Sequence, residues 1–199
     1  MMEKEQLNGL LHHFFKDFSK NDIDMLLQIC EFKSYPGKTV IIKSGDTKRK
    51  AFLILEGTAR GYIIDNKGEE KNILLRSKGI FVGDAEALFG NQPQKLTLES
   101  IDNTHVLLFS MDDFEALSKQ NKAILNLYVN SLKEAILRLT YRVGSLITMS
   151  PEERYLDLLE KNPNFLKDAF DKHVANYLGI TAVSFSRIKK RLKTAGINK

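Results

Sequence analysis

Apolar residues recur along this chain with three different periods, and the changes of period divide it into parts. Leu7, Leu10, Leu11, Phe14, Phe15 and Phe18 fall at helical spacing, which predicts a first helix over 7–18. Asn21 then offers a cap for a second short helix reaching about Cys30. After Pro36-Gly37 the period shortens. Thr39–Ile42, Ala51–Leu55, Thr58–Ile64, Lys71–Leu75, Leu96–Ser100 and His105–Phe109 read as strands, bounded by Ser44-Gly45-Asp46, Glu56-Gly57, Asn66-Lys67-Gly68 and Lys78-Gly79. Short strands at this spacing, with no long helix between them, predict a β-barrel or β-sandwich of about eight strands rather than a doubly wound sheet. The glycines agree, since eight of the twelve lie between Gly37 and Gly90.

Beyond Asp112 the pattern becomes one long helix. Leu125, Val129, Leu132, Ile136, Leu139, Val143 and Leu146 repeat at alternating spacings of four and three. A 3.5-residue period keeps one stripe facing a partner, so these residues predict a coiled-coil seam and a parallel homodimer. Part of the same helix must also lie on its own β-domain. Ser150-Pro151-Glu152-Glu153 starts a new helix, with Ser150 as cap, Pro151 preset for the first turn and Glu153 able to reach back; Asn162-Pro163 ends it. The expected division is a sensor domain over 1–112, a dimerisation helix over 113–148 and a third domain over 149–199, with a hinge near 148–150.

The third domain carries the clearest motif. Between Asp171 and Arg191, Ala175 is small where two helices cross, and Gly179 sits in a turn that needs a positive φ. Val174, Leu178, Ile180, Phe185 and Ile188 hold the two helices together. Thr181 can cap the second helix, whose outer face then carries Val183, Ser184, Ser186, Arg187, Lys189, Lys190 and Arg191. This is a helix-turn-helix pattern, and such a helix fits the major groove of double-stranded DNA. An αα-corner of an unrelated bundle shares the apolar spacing. The charge distribution counts against it: 30 Lys and Arg against 25 Asp and Glu is mild overall, but from Thr181 to Lys199 there are six cations and no acid.

Composition narrows the class further. At 199 residues, 43% hydrophobic and 28% charged, the chain is ordinary globular protein. A lone Cys30 excludes a disulfide scaffold, an all-cysteine zinc site and an iron–sulfur cluster within one chain. No apolar run is long enough to span a bilayer, and the start Met-Met-Glu-Lys-Glu-Gln lacks the apolar centre of a signal peptide; the expectation is a cytoplasmic protein without a membrane partner. A metal enzyme on a β-roll needs several ligands on neighbouring strands, but only His105 falls in one, while His12, His13 and His173 fall in predicted helices. No phosphate-cradling glycine loop or nucleophile elbow is present, so no enzyme activity and no metal are expected.

Several stretches resemble the catabolite activator protein / fumarate–nitrate regulator (Crp/Fnr) family, and the likeness covers nearly the full chain. They are Tyr35-Pro36-Gly37-Lys38, Ser44-Gly45-Asp46, Phe52-Leu53-Ile54-Leu55-Glu56-Gly57, Gly79-Ile80-Phe81-Val82-Gly83-Asp84, and Gly179-Ile180-Thr181 through Ser186-Arg187-Ile188. The resemblance implies an α+β fold: an N-terminal double-stranded, jelly-roll-like β-roll, a long dimerisation helix and a C-terminal helix-turn-helix. It implies a homodimeric transcription regulator that binds operator DNA and works with RNA polymerase. Its β-roll would receive a small-molecule effector at Val82, Gly83, Asp84, Ala85, Gln94, Lys95, Leu139 and Thr140, and the hinge would reorient the DNA-reading helices.

The departures bear on both sites. The family's phosphate-binding Arg-Ser pair falls on Gln94-Lys95, and its base-reading Thr-Ser pair falls on Leu139-Thr140. Glutamine has no cationic fork and lysine is a point charge, which argues against cyclic AMP and leaves the effector open. In the reading helix only Arg187 matches the prototype; Ala182 and Val183 replace charged residues, so Ser184, Arg187 and Lys190 are left to read bases. The sequence runs only to Lys199, so the wing that follows the motif is expected to be truncated, with Lys189, Lys190 and Arg191 carrying more of the phosphate contact. A dimeric sensor acting through a protein partner without DNA is the alternative.

Overall fold

The computed structural model describes residues 4–161 and 171–194. Helices α1 (Lys4–Phe14) and α2 (Lys20–Gln28) lead into two four-stranded antiparallel sheets. In chain order the strands are β1 (Cys30–Tyr35), β2 (Val40–Ile42), β3 (Lys50–Glu56), β4 (Thr58–Ile64), β5 (Glu70–Ser77), β6 (Phe81–Val82), β7 (Thr97–Ser100) and β8 (Thr104–Ser110), with α3 (Ala85–Phe89) after β6. The sheet orders are β1-β8-β3-β6 and β2-β7-β4-β5, which make the expected β-roll. Helices α4 (Met111–Gln120), α5 (Lys122–Thr148), α6 (Pro151–Lys161), α7 (Asp171–Tyr177) and α8 (Ala182–Thr194) complete the described chain.

β3 shows how the roll is held. Its residues 51–55 are all buried, although a strand with one wet face would alternate. Phe52 and Ile54 point between the sheets, onto Ala59, Leu98 and Val106. Ala51, Leu53 and Leu55 point the other way, onto Leu11, Ile23, Leu26, Phe114 and Ile124 of the helices. The turn into β4 needs Gly57: its φ is +86°, and a Cβ would lie 2.5 Å from the Asn103 carbonyl oxygen.

Three local expectations need correcting. The first helix ends at Phe14, not Phe18, and Phe15 and Phe18 stack in the turn at 5.0 Å between ring centroids. The cap of α2 is Ser19, not Asn21: its hydroxyl accepts the Asp22 amide while the Asp22 carboxylate accepts the Ser19 amide. The long helix beyond Asp112 is two helices. Asn121 breaks it, accepting the Ala123 and Ile124 amides and donating to Asp22 of α2. Helix α4 thus belongs to the roll's packing, and α5 leaves it. The capping box at Ser150 forms as expected, with reciprocal bonds to Glu153. Asn162-Pro163 and the segment 195–199, where the truncated wing was expected, lie outside the described residues.

Candidate nucleic-acid interface and interdomain cavity

Helices α7 and α8 cross on a small apolar core that also takes in Leu75 and Ile101 of the roll. Val174, Ala175, Leu178, Phe185, Ile188 and Leu192 are buried, with Tyr155 and Leu158 of α6 beneath them and Ile180 at the margin. Tyr155 meets the Phe185 ring edge-on at 4.9 Å. Gly179 takes φ +73° in the turn, and the Thr181 hydroxyl accepts the Ser184 amide as the α8 cap. This burial fixes which face of α8 looks outward: Thr181, Val183, Ser184, Ser186, Arg187, Lys189, Lys190 and Arg191 are all exposed.

The cations on that face are not equivalent. Lys189 is held by Asp171 of α7 at 2.8 Å, and Arg191 by Glu152 of α6. Arg187 and Lys190 have no carboxylate within ion-pair distance among the described residues. Sequence spacing could not show this, because the acids lie 18 and 39 positions away.

Helix α5 exposes most of its length. Only Ile124 and Ser145 of its 27 residues are buried. Of the seven seam residues Leu132 is half-buried, and Leu125, Val129, Ile136, Leu139, Val143 and Leu146 are exposed, with Ile136 at 64%. An exposed apolar stripe of this length is a candidate interaction surface.

Between β5, α5, α6 and α7 lies a cavity of about 830 Å3. Of the eight expected pocket residues, Gly83, Asp84, Ala85, Lys95 and Leu139 line it, and Val82, Gln94 and Thr140 do not. The Asp84 carboxylate is taken up by the amides of Glu86, Lys95 and Leu96, which organises the loop after α3. Gln94 is buried and turned toward the Lys48 carbonyl, with its Oε1 atom lacking a hydrogen-bond partner. Lys95 pairs with Glu86 at 2.9 Å.

The cavity contains other cations. Arg76 on β5, Arg138 and Arg142 on α5, and Arg154 on α6 line it, beside Tyr141 and Tyr177. Arg142 lies over the Tyr177 ring at 3.8 Å and donates to the Tyr177 carbonyl. Arg154 donates to the carbonyls of Leu178 and Met149, pinning the turn to the hinge. The only sequence signal for Arg76 is a cation ending the apolar run Ile73-Leu74-Leu75.

An antiparallel β-roll joined by a long, apolar-striped helix to a helix-turn-helix with a cationic outer face is the build of a DNA-binding regulator. A cyclic nucleotide-binding domain model matches residues 32–121. Regulatory protein HlyX of Actinobacillus pleuropneumoniae is 28% identical over 196 residues, covering 90% of this chain and 79% of that protein. The fumarate and nitrate reduction regulatory protein of Vibrio cholerae is 26% identical, covering 90% and 76%. Among solved structures, the c-di-GMP-responsive regulator CLP of Xanthomonas campestris has the same fold, with a TM-score of 0.70 at 18% identity over 89% of this chain and 93% of that one. The chain is thus similar, over nearly its full length, to DNA-binding transcription regulators of the Crp/Fnr type. The sensor without DNA binding is not favoured.

Proposed function

We propose that two copies of this chain pair along α5, through Leu125, Val129, Leu132, Ile136, Leu139, Val143 and Leu146, and present their α8 helices to successive major grooves of an operator. The observation that carries this reading is the division of α8. Phe185, Ile188 and Leu192 are spent on packing, while an acid-free outer face stays in solvent. Ser184 and Arg187 read base edges, Val183 meets a thymine methyl, and Thr181, Ser186 and Lys190 contact backbone or neighbouring bases. Lys189 and Arg191 contribute less than their charge suggests, because each already holds an acid. Its working parts follow the expected order with one boundary moved: α4 goes with the sensor domain, α5 over 122–148 is the dimerisation helix, and the DNA-binding domain follows from 149.

The cavity receives a small-molecule effector, and its filling alters how α7 and α8 sit on the roll. Arg142 and Arg154 connect the cavity wall to the helix-turn-helix directly, which supports that coupling. RNA polymerase is the expected partner at a promoter, in the cytoplasm. No helix among the described residues is long and apolar enough to cross a membrane. Selection of operator sequences from random duplexes, followed by binding at several salt concentrations, tests the reading. One sequence class should be enriched, and affinity for it should fall steeply as salt displaces phosphate contacts. Recovery of only random sequence would count against specific recognition.

A further inference from the structure

Arg76 and Arg142 come from elements 66 positions apart and face one cavity, yet neither has a carboxylate within ion-pair distance among the described residues. Arg76 donates to the carbonyl of the preceding Leu75 and bonds the Tyr177 side chain, neither of them a carboxylate. Arg142 is satisfied by a carbonyl and a ring, not by an acid. Burial lowers the proton affinity of both guanidinium groups, and Arg138 and Arg142 lower that of Arg76 further, against an opposing pull from Tyr177. The nearby acids are committed elsewhere: Asp84 to backbone amides, Glu86 to Lys95, and Asp157 to Lys161 and Tyr141. Half-buried positive charge without a counter-charge is costly, and folds keep it where an anion completes the site.

Ile73, Leu74, Ile80, Leu96, Leu139 and Tyr141 supply an apolar and aromatic wall beside the arginines, while the lining acids Asp84, Glu86 and Asp157 hold the partners just named. The volume falls within the roughly 300–1,000 Å3 of small-ligand pockets. We propose that this cavity binds an organic anion with a compact apolar or aromatic body, its carboxylate or phosphate clamped between Arg76 of β5 and Arg142 of α5. The counter-charge has moved from the loop holding Gln94 to a strand and a helix. The inference rests on the effector-cavity reading above and adds the chemistry of the ligand.

The test uses the full chain and thermal melting with four probes: benzyl phosphate, phenylacetate, benzyl alcohol as the neutral match, and inorganic phosphate as the anion without a body. At least one aromatic anion should raise the melting temperature, with little effect from benzyl alcohol or inorganic phosphate at the same concentration. Arg76→Met and Arg142→Met should each abolish that rise, and Arg187→Met on the far face should leave it intact. Arg142→Lys keeps charge and fold but loses the planar fork, and should bind the probe about tenfold more weakly. Ligand-free Arg76→Met should also melt higher than the parent, since it loses an uncompensated charge. Equal stabilisation by benzyl alcohol, no response to either aromatic anion, or a full response in both arginine variants would overturn the proposal. Because no DNA is present, a failure here leaves the DNA-binding reading standing, and loss of operator binding would not alter this result.

Discussion

The side chain of Asn176 completes the edge of the β-roll at Asn72: its Oδ1 accepts the Asn72 amide at 2.6 Å, and its Nδ2 donates to the Glu70 carbonyl at 2.6 Å. β5 is the edge strand of its sheet, so both backbone groups would otherwise face water. One carboxamide supplies the donor and the acceptor a neighbouring strand would. The Asn72 side chain returns a bond to the His173 carbonyl at 3.1 Å. Beneath it, buried Arg60 pairs with Glu99 at 2.8 Å and Glu70 at 2.6 Å, holding the strand under the helix. The helix-turn-helix is therefore docked on its own roll through these polar contacts together with Leu75 and Ile101, which share its apolar cluster.

Asn176→Leu removes both the acceptor of the Asn72 amide and the donor to the Glu70 carbonyl. Hydrogen exchange at the Asn72 amide should accelerate about tenfold or more, in line with the roughly 1–3 kcal/mol cost of an unsatisfied polar group. Retained protection would show that the docking is held by other contacts.

On operator DNA, Arg187→Ala should weaken specific binding much more than binding to random duplex. Lys190→Ala should weaken both by similar factors and lower the log–log salt slope by about 0.9. Lys189→Ala should cost less than Lys190→Ala, because Asp171 already holds that ammonium. Titrations at several salt concentrations separate the three; equal specific and random loss for Arg187→Ala would remove its base-reading role.

Val129→Asp with Ile136→Asp places two charges on the seam where the single chain is already exposed. The fold should persist by circular dichroism while sedimentation shows monomers. Operator affinity should then fall at least tenfold, as two half-sites are no longer gripped together. An unchanged sedimentation coefficient would place the dimer contact elsewhere.

His173 is buried in α7, and its pKa is lowered from 6.5 to about 4, first by burial and then by Arg60. Its imidazole is neutral in the folded chain above that value. As pH falls from about 6.5 to about 4, the unfolded chain takes up a proton that the folded one refuses, so stability drops across that window and is fully retained above it. Thermal melts should show this slope, and His173→Gln should flatten it. Identical slopes in both proteins would mean the imidazole is not protected from protonation.

Much of this molecule could be read from neighbours in sequence. Val174, Leu178, Phe185 and Ile188 announce the helix-turn-helix because helical periodicity is local, and the same holds for the stripe from Leu125 to Leu146. The strand Thr58–Ile64 has the bounds expected. β1 was missed because Cys30–Tyr35 mixes charged and apolar residues and becomes a strand by pairing with β8. β6 was missed because two residues carry no period, and their partner is Phe52-Leu53 of β3.

The sequence by itself determined the order of parts, the apolar faces and the cationic character of α8, since each is set within a few turns or a single strand. Tertiary structure alone decided that Asp171 and Glu152 take up two of those cations. It also turned Gln94 inward, and it brought Arg76 and Arg142 to one cavity and Asn176 to Asn72. The last pairing spans 104 positions. Charge pairing and cavity closure depend on which distant side chains the folded backbone brings within a few ångströms, and no local period encodes that distance.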